Sequence, residues 1–195
     1  TADRDMLQFP ADTFARFFEN HGLLSVRRHP QWYTIKGGSH VYVRAFLKQF
    51  SGAVYSGRPV RKIARKGGRV RLLTDDGEAL HDKVVIAAHA DEALQMLSDP
   101  SDAETRLLSP WRYTNNRVIL HRDATCLPPL LKARASWNYK READVTDQPA
   151  VNLTYYMNLL QQLSSEHHYC VSLNPGRRID DAHIIEDMAY DHPIF

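Results

Sequence analysis

The sequence predicts an α+β fold, a mixed or antiparallel sheet flanked by helices together with a small β-meander. Three observations carry that prediction. Two stretches in the first fifty residues repeat apolar positions at helical spacing, Phe14, Phe17 and Phe18, then Tyr42, Val43, Phe46, Leu47 and Phe50. Between Val54 and Ala90 the pattern changes to short alternating runs separated by the turn dipeptides Gly67-Gly68 and Asp76-Gly77. From Arg117 onward, strand-like segments follow one another with proline, serine and asparagine punctuation between them.

In chain order, Phe9-Pro10-Ala11-Asp12 predicts a helix start with Asp12 as the cap, and the helix is expected to run through Gly22 and end in Leu23-Leu24. Its aromatic stripe is expected in the core. The next element is a sharp entry into a second helix. Gly37 and Gly38 supply freedom in φ, Ser39 is a good N-cap, and the N–H groups there are placed to face a polar ligand. Arg44, Lys48 and Gln49 fall opposite the stripe of Tyr42 to Phe50, which predicts one buried face.

Arg58-Pro59-Val60 opens the meander, in which Val70 and Leu72 alternate with Arg69 and Arg71. The continuous apolar run Val84 to Ala88 reads as a buried strand, after which His89-Ala90-Asp91-Glu92 opens a helix through Leu94, Met96 and Leu97. Ala103 to Leu108 is helix-like. Five strands then follow: Arg117–His121, Ala135–Tyr139, Val151–Asn158, Tyr169–Leu173 and Ile184–Tyr190. Pro128-Pro129, Asp147-Gln148-Pro149, Ser164-Ser165 and Asn174-Pro175-Gly176 separate them. In the third, Val151, Leu153, Tyr155 and Met157 alternate with Asn152, Thr154, Tyr156 and Asn158, which predicts a core face and a polar, aromatic face that lines something.

Composition narrows the function classes. With 43 % hydrophobic and 25 % charged residues over 195, the chain is of ordinary globular type. A formal charge of +2 and a basic run, Arg58 to Arg71, that alternates like a solvated sheet face argue against nucleic acid. Cys126 and Cys170 lack a second cysteine or histidine at ligand spacing, and His167-His168 are adjacent, so buried thiols and no metal site are expected. The sequence shows no signal peptide and no apolar run of membrane-spanning length, so cytoplasm is the default expectation. Hydrolase chemistry has no support either, because no Gly-x-Ser-x-Gly elbow occurs and His89 beside Asp91 is as well explained by capping.

Three motifs carry a resemblance: Trp32 to Ser39 (Trp-x-Thr-x-Lys-Gly-Gly-Ser), Ala87 to Asp91 (Ala-Ala-His-Ala-Asp) and Tyr190 to Phe195 (Tyr-x-His-Pro-x-Phe). In this order, with the meander between the first two, the chain resembles the flavin-containing amine oxidase family, which includes monoamine and polyamine oxidases and protoporphyrinogen oxidase. It is most similar to a bacterial branch of predicted NAD/FAD-binding amine-oxidase-like proteins. The resemblance implies that residues 1–30 are a helical part of the substrate lobe, 31–100 part of the FAD-binding lobe and 101–195 the substrate-lobe antiparallel sheet. The Gly-x-Gly-x-x-Gly fingerprint that the family carries near its N-terminus does not occur here, so the expectation is an internal fragment without the N-terminal Rossmann half. FAD then belongs to the longer parent, and the fragment by itself is expected neither to hold it nor to be active.

The resemblance also implies roles for residues. Gly37, Gly38 and Ser39 would lie toward the cofactor, and the main chain of Val60 would meet the adenine edge. Ala88 and His89 end a strand beside the cofactor, where the family usually has a proline-bearing segment. Arg117 takes the place of a lysine that holds a water against flavin N5. A guanidinium keeps its proton, so lysine-like base chemistry is not expected of it. Trp137, Tyr139, Tyr155 and Tyr156 would line the substrate cavity. The implied activity is hydride transfer from a substrate C–N or C–C bond to flavin N5, on an amine or an apolar small molecule. The competing expectations are a flavin-dependent isomerase or desaturase of a lipid-like substrate, and a non-catalytic α+β interaction domain.

Overall fold

A computed structural model describes residues 10–25, 30–140, 152–176 and 178–194. Expectations for Phe9, for the Asp147-Gln148-Pro149 turn, for Val151 and for Phe195 lie outside the described residues. The chain divides into two units, Thr1–Gln49 with Asn115–His192, and Phe50–Thr114 with Pro193–Phe195.

In the first unit, helix α1 (Ala11–Asn20) begins after Pro10, whose φ of −58° and ψ of 123° set the N-cap backbone. Asp12 is therefore inside the first turn and not at the cap, where it offsets the helix dipole instead. Gly22, at φ +64°, ends the helix, with Leu23 N–H donating to Phe18 O and Gly22 N–H to Glu19 O, both at 2.9 Å. The rings of Phe14 and Phe18 lie 4.4 Å apart as their four-residue spacing requires. The stripe is nonetheless not core, since Phe14 and Phe17 are exposed and α1 has no buried residue.

Helix α2 (His40–Gln49) starts directly after Ser39. Gly37 and Gly38 both sit at positive φ, +85° and +84°, and tight turns bond Gly38 N–H to Ile35 O and Val41 N–H to Gly38 O. Two consecutive left-handed residues explain the paired glycines, because a side chain is strained there whatever space surrounds it. The expected buried face is again not buried: Tyr42, Phe46, Leu47 and Phe50 are all exposed. Periodicity identified both helices, but burial needs a covering surface, which local pattern does not specify.

The second unit holds the meander. Strands β1 (Val60–Lys66), β2 (Arg69–Thr74) and β3 (Gly77–His81) form an antiparallel sheet in that order. Gly67 and Gly68, at φ +58° and +75°, make the first hairpin. The second turns on Asp75 and Asp76, one residue earlier than expected, with Gly77 opening β3 at φ +128°. Helices α3 (Ala90–Met96) and α4 (Asp102–Leu108) follow. Leu97 bridges Ile63, Ser98 N–H donates to Ile63 O at 2.8 Å, and Ile63, Ala93 and Leu97 are buried. Ser101 and Glu104 form the capping box of α4. The run Val84 to Ala88 forms no strand, and Val85 is 91 % exposed. A run apolar on both faces suits a strand with neighbours on both sides, and no strand pairs with it among the described residues.

Strand β4 (Arg112–His121) leads from the second unit into the first, where five strands form one sheet. The others are β5 (Trp137–Tyr139), β6 (Leu153–Tyr156), β7 (Cys170–Leu173) and β8 (Ile184–Ile194), in the spatial order β5-β6-β7-β4-β8. Each of the five expected strands is present. The third is shorter than expected, because Met157 turns the chain into helix α5 (Met157–Leu160). Asn174 ends β7 at φ +43°, and its side chain is tied to Arg117 N–H and Asn116 Oδ1. Tyr190, His192 and Pro193 belong to β8, an edge strand among the described residues, the place in a sheet where proline is tolerated.

Candidate functional site

Cross-strand register sorts the candidate residues onto two faces of the five-stranded sheet. Trp137 pairs with Tyr155, Tyr155 with Val171 and Val171 with Leu120. One step along, Tyr139, Leu153, Leu173 and Val118 are cross-strand partners. Since side chains alternate along a strand and agree across a ladder, these eight share a face. Trp137 meets Tyr155 edge-on, with centroids 6.0 Å apart and planes at 78°. Trp137 is 64 % and Tyr139 54 % exposed, whereas Leu153, Tyr155, Val171 and Leu173 are half-buried. Strands β5, β6 and β7 contain no Asp, Glu, Lys, Arg or His, so the aromatic and aliphatic face carries no formal charge across them.

The opposite face is polar and dry. Asn138, Thr154, Ser172 and Ile119 are aligned partners across β5, β6, β7 and β4, and all are buried. The next row brings Tyr156, Cys170 and His121 together, with Cys170 and His121 fully buried. The backbone N–H of Asp123 donates to His121 Nδ1 at 3.2 Å, which makes Nδ1 an acceptor and puts the ring proton on Nε2. Nε2–H then donates to Ser172 Oγ at 2.9 Å, and the Ser172 and Thr154 hydroxyls are hydrogen-bonded to each other at 2.7 Å. Asn138 closes the row, with Oδ1 accepting Ala135 N–H at 3.0 Å and Nδ2 donating to Ala135 O at 2.6 Å and Thr154 O at 3.4 Å. Burial pushes the Cys170 thiol up to about 12, which keeps it protonated and inert.

This reverses one expectation for β6. Its fully buried residue is Thr154, and Leu153 and Tyr155 point to the half-open side. The hydrogen bonds of Thr154 and Ser172 make a polar interior tolerable, an arrangement invisible to hydropathy alternation. Asn138, Thr154, Ser172 and His121 are the residues that sequence reasoning passed over. The signal for three of them was a small polar side chain in the middle of a strand otherwise built from aromatic and aliphatic residues.

Of the four aromatics expected to line a cavity, Trp137, Tyr139 and Tyr155 share a face and Tyr156 does not. Tyr156 lies with Cys170 on the opposite side, where its hydroxyl and His168 Nδ1 are 2.7 Å apart. Arg117 is also on the side away from Trp137, in alternation with Ile119 and His121 on β4. Its Nη2 is 2.5 Å from Asp187 Oδ2, and its Nε donates to both carboxylate oxygens at 3.1 and 3.2 Å. Hydrogen bonding from Arg117, then its charge, holds the Asp187 carboxyl below its ordinary value, and Asp187 reciprocally raises Arg117. With side-chain exposures of 59 % and 42 %, the two form a surface ion pair, and the cation is already neutralised by its partner.

Of the expected cofactor contacts, Gly37, Gly38 and Ser39 belong to the first unit and Val60, Ala88 and His89 to the second. Val60 is half-buried at the start of β1, next to a register shift between Val60 and Lys62. Ala88 is exposed. His89 stacks on Tyr113, with centroids 4.5 Å apart and planes at 17°, while the Tyr113 hydroxyl accepts Ala90 N–H at 2.8 Å. Its N–H also donates to Glu92 Oε2 at 3.3 Å, so His89 serves the entry to α3. Among the described residues no helix is long and apolar enough to cross a membrane. No group of three or more potential ligands is placed to hold a metal ion among them.

Comparison with known proteins places this geometry. The fold is similar to that of a CLA-producing fatty acid isomerase from P. acnes, with a TM-score of 0.51 and 13 % identity over 78 % of this chain and 39 % of that one. It is also similar to a candidate protoporphyrinogen oxidase from Exiguobacterium sp. 255-15, with a TM-score of 0.55 and 15 % identity over 82 % of this chain and 35 % of that one. The chain thus spans well under half the length of these solved structures. A search of curated proteins finds no match. The sequence model of the flavin containing amine oxidoreductases matches residues 9–165, most of the chain, and on that match the protein belongs to the flavin containing amine oxidoreductase family.

Proposed function

We propose that this chain supplies the substrate-side sheet and part of the cofactor-side segment of an FAD-dependent oxidoreductase that takes hydride from a C–N or C–C bond of a small molecule. The observation that carries the proposal is the charge-free face bearing Trp137, Tyr139 and Tyr155 beside Leu153, Val171 and Leu173. Such a face orients an apolar or flat substrate by contact area and keeps water from the bond to be broken. A bound FAD supplies the hydride acceptor.

The residues toward the cofactor fit such a group in part. Gly38 presents main chain to open space, where a Cβ would meet nothing within 4 Å, while a Cβ at Gly37 would meet the Val41 side chain at 3.1 Å. Ser39 adds a hydroxyl at the same turn. Val60 would contribute main-chain polar groups at a strand end, and Ala88 is too small to obstruct an approach. His89 would not turn to a ligand without leaving Tyr113. Arg117 has no part in the proposed step, because Asp187 already compensates its charge.

A second reading, isomerisation or desaturation of a lipid-like substrate without amine oxidation, is favoured by the same lack of charge on the aromatic face. Anaerobic mixing of the flavin-loaded protein with a panel of primary and secondary amines, and separately with fatty acyl substrates, tests both. Flavin bleaching by amines supports amine oxidation. A shift in double-bond position without net oxidation supports the isomerase. Absence of stoichiometric flavin from the purified full-length protein refutes both readings and leaves an interaction domain.

A further inference from the structure

We infer that the buried hydrogen-bonded chain Asn138, Thr154, Ser172 and His121 is a positioning element that holds Trp137 against Tyr155 on the opposite face of the sheet. Only the functional arm of its test rests on the proposed role of that face. Strand β5 has three residues and forms an edge of the sheet among the described residues; its ladder to β6 holds the pairs Trp137–Tyr155, Asn138–Thr154 and Tyr139–Leu153, flanked by Tyr156 N–H donating to Ser136 O at 2.9 Å and Lys140 N–H donating to Asn152 O at 3.1 Å. A slip of one residue along so short a ladder exchanges every side chain between faces. Here the slip would bring Trp137 or Tyr139 into the space of Asn138 and move the carboxamide toward solvent. Asn138 resists this through its bond across the ladder to Thr154 O, while its two bonds to the Ala135 main chain fix the carboxamide within its own segment.

The anchor is only as fixed as what it holds. Thr154 is held through its hydroxyl by Ser172, Ser172 by His121, and the His121 ring by Asp123 N–H. The row therefore runs from β4, inside the sheet, out to its edge at β5. Each link in β5, β6 and β7 is the sequence neighbour of a residue on the other face: Asn138 of Trp137, Thr154 of Tyr155, Ser172 of Val171. Directions along the backbone transmit the anchoring, and none of the row residues touches what lies on the aromatic face.

The test compares Thr154→Val, which keeps the shape and removes the hydroxyl, with Thr154→Ser, which keeps the hydroxyl. The first readout is the nuclear Overhauser contact between the Trp137 and Tyr155 rings. The expected result is its loss in Thr154→Val and its retention in Thr154→Ser. Retention in both overturns the positioning role even if Thr154→Val melts earlier. If Thr154→Val does not fold, Asn138→Ala at the sheet edge takes its place, and retention of the ring contact there overturns the inference equally. The second readout is oleate binding to the flavin-loaded protein, expected to weaken by about tenfold in Thr154→Val and to stay within about twofold in Thr154→Ser. Loss of the ring contact with oleate binding unchanged upholds the positioning role and refutes the substrate reading of the face.

Discussion

Ser172→Ala removes one oxygen from the interior of the five-stranded sheet, where it bonds two buried neighbours. In the folded protein that oxygen receives the His121 Nε2 proton at 2.9 Å and bonds Thr154 Oγ1 at 2.7 Å, with Ser172, His121 and Thr154 all buried. Alanine takes the hydroxyl from both neighbours and leaves a space smaller than a water molecule needs. A buried polar group that loses its partner costs about 1–3 kcal/mol, so the two neighbours together predict a loss of about 2–6 kcal/mol. Thr154→Val keeps its volume, disturbs one link and should cost about 1–2 kcal/mol. In the double variant the Ser172–Thr154 link disappears from both ends, so its loss should fall short of the sum of the single losses by about 1 kcal/mol. Urea titration followed by far-ultraviolet circular dichroism, with linear extrapolation, measures all three. A Ser172→Ala loss below about 0.5 kcal/mol, the scale of ordinary surface substitutions, or strict additivity in the double variant, would refute the reasoning.

Gly38→Ala should lower stability by about 1–2 kcal/mol although its Cβ meets nothing, since the cost is that of φ +84° alone; Gly38→Asn should lower it less, and equal melting temperatures for wild type and both variants would contradict this. Of the two thiols, Cys170 should resist iodoacetamide until denaturant is added, while the half-buried Cys126 is alkylated in the native protein, with mass spectrometry counting the adducts. The Asp187 carboxyl, depressed by Arg117 below its ordinary 3.8, contributes stability in full above that value and loses it as pH falls through the depressed one. Below about pH 4 the wild-type melting temperature should therefore fall more steeply than that of Asp187→Asn, and added salt should narrow the difference because the pair is exposed.

Much of the element order was legible because it depends on local chemistry. Gly67-Gly68 and Gly77 marked the meander, and Asn174 and the strand residues from Arg117 to Tyr190 marked the five-stranded sheet. Burial was less legible. The stripes of α1 and α2 have helical periodicity yet face outward, and Val84 to Ala88 has a strand's composition without a ladder. A covering or pairing surface is a property of the fold, absent from a window of ten residues. The candidate site divides the same way. Trp137, Tyr139 and Tyr155 could be picked as strand aromatics, but which of them share a face required the register, which also separates Tyr156 from the group. Arg117 looked exposed in function because Asp187, seventy positions later, cannot be paired with it from sequence alone.

Alternation in β5, β6 and β7 has a consequence for how sequences of this type can diverge. Two neighbouring codons in one strand answer to separate selection pressures. Changes at 137, 139, 155, 171 and 173 alter what the outer face can accommodate and disturb little of the bonded interior, whereas changes at 138, 154 and 172 break that interior without offering a new contact to any ligand. Homologous sequences should accordingly show variability with a period of two, and the outer face can change its chemistry in small steps while the foldedness of the sheet is left alone.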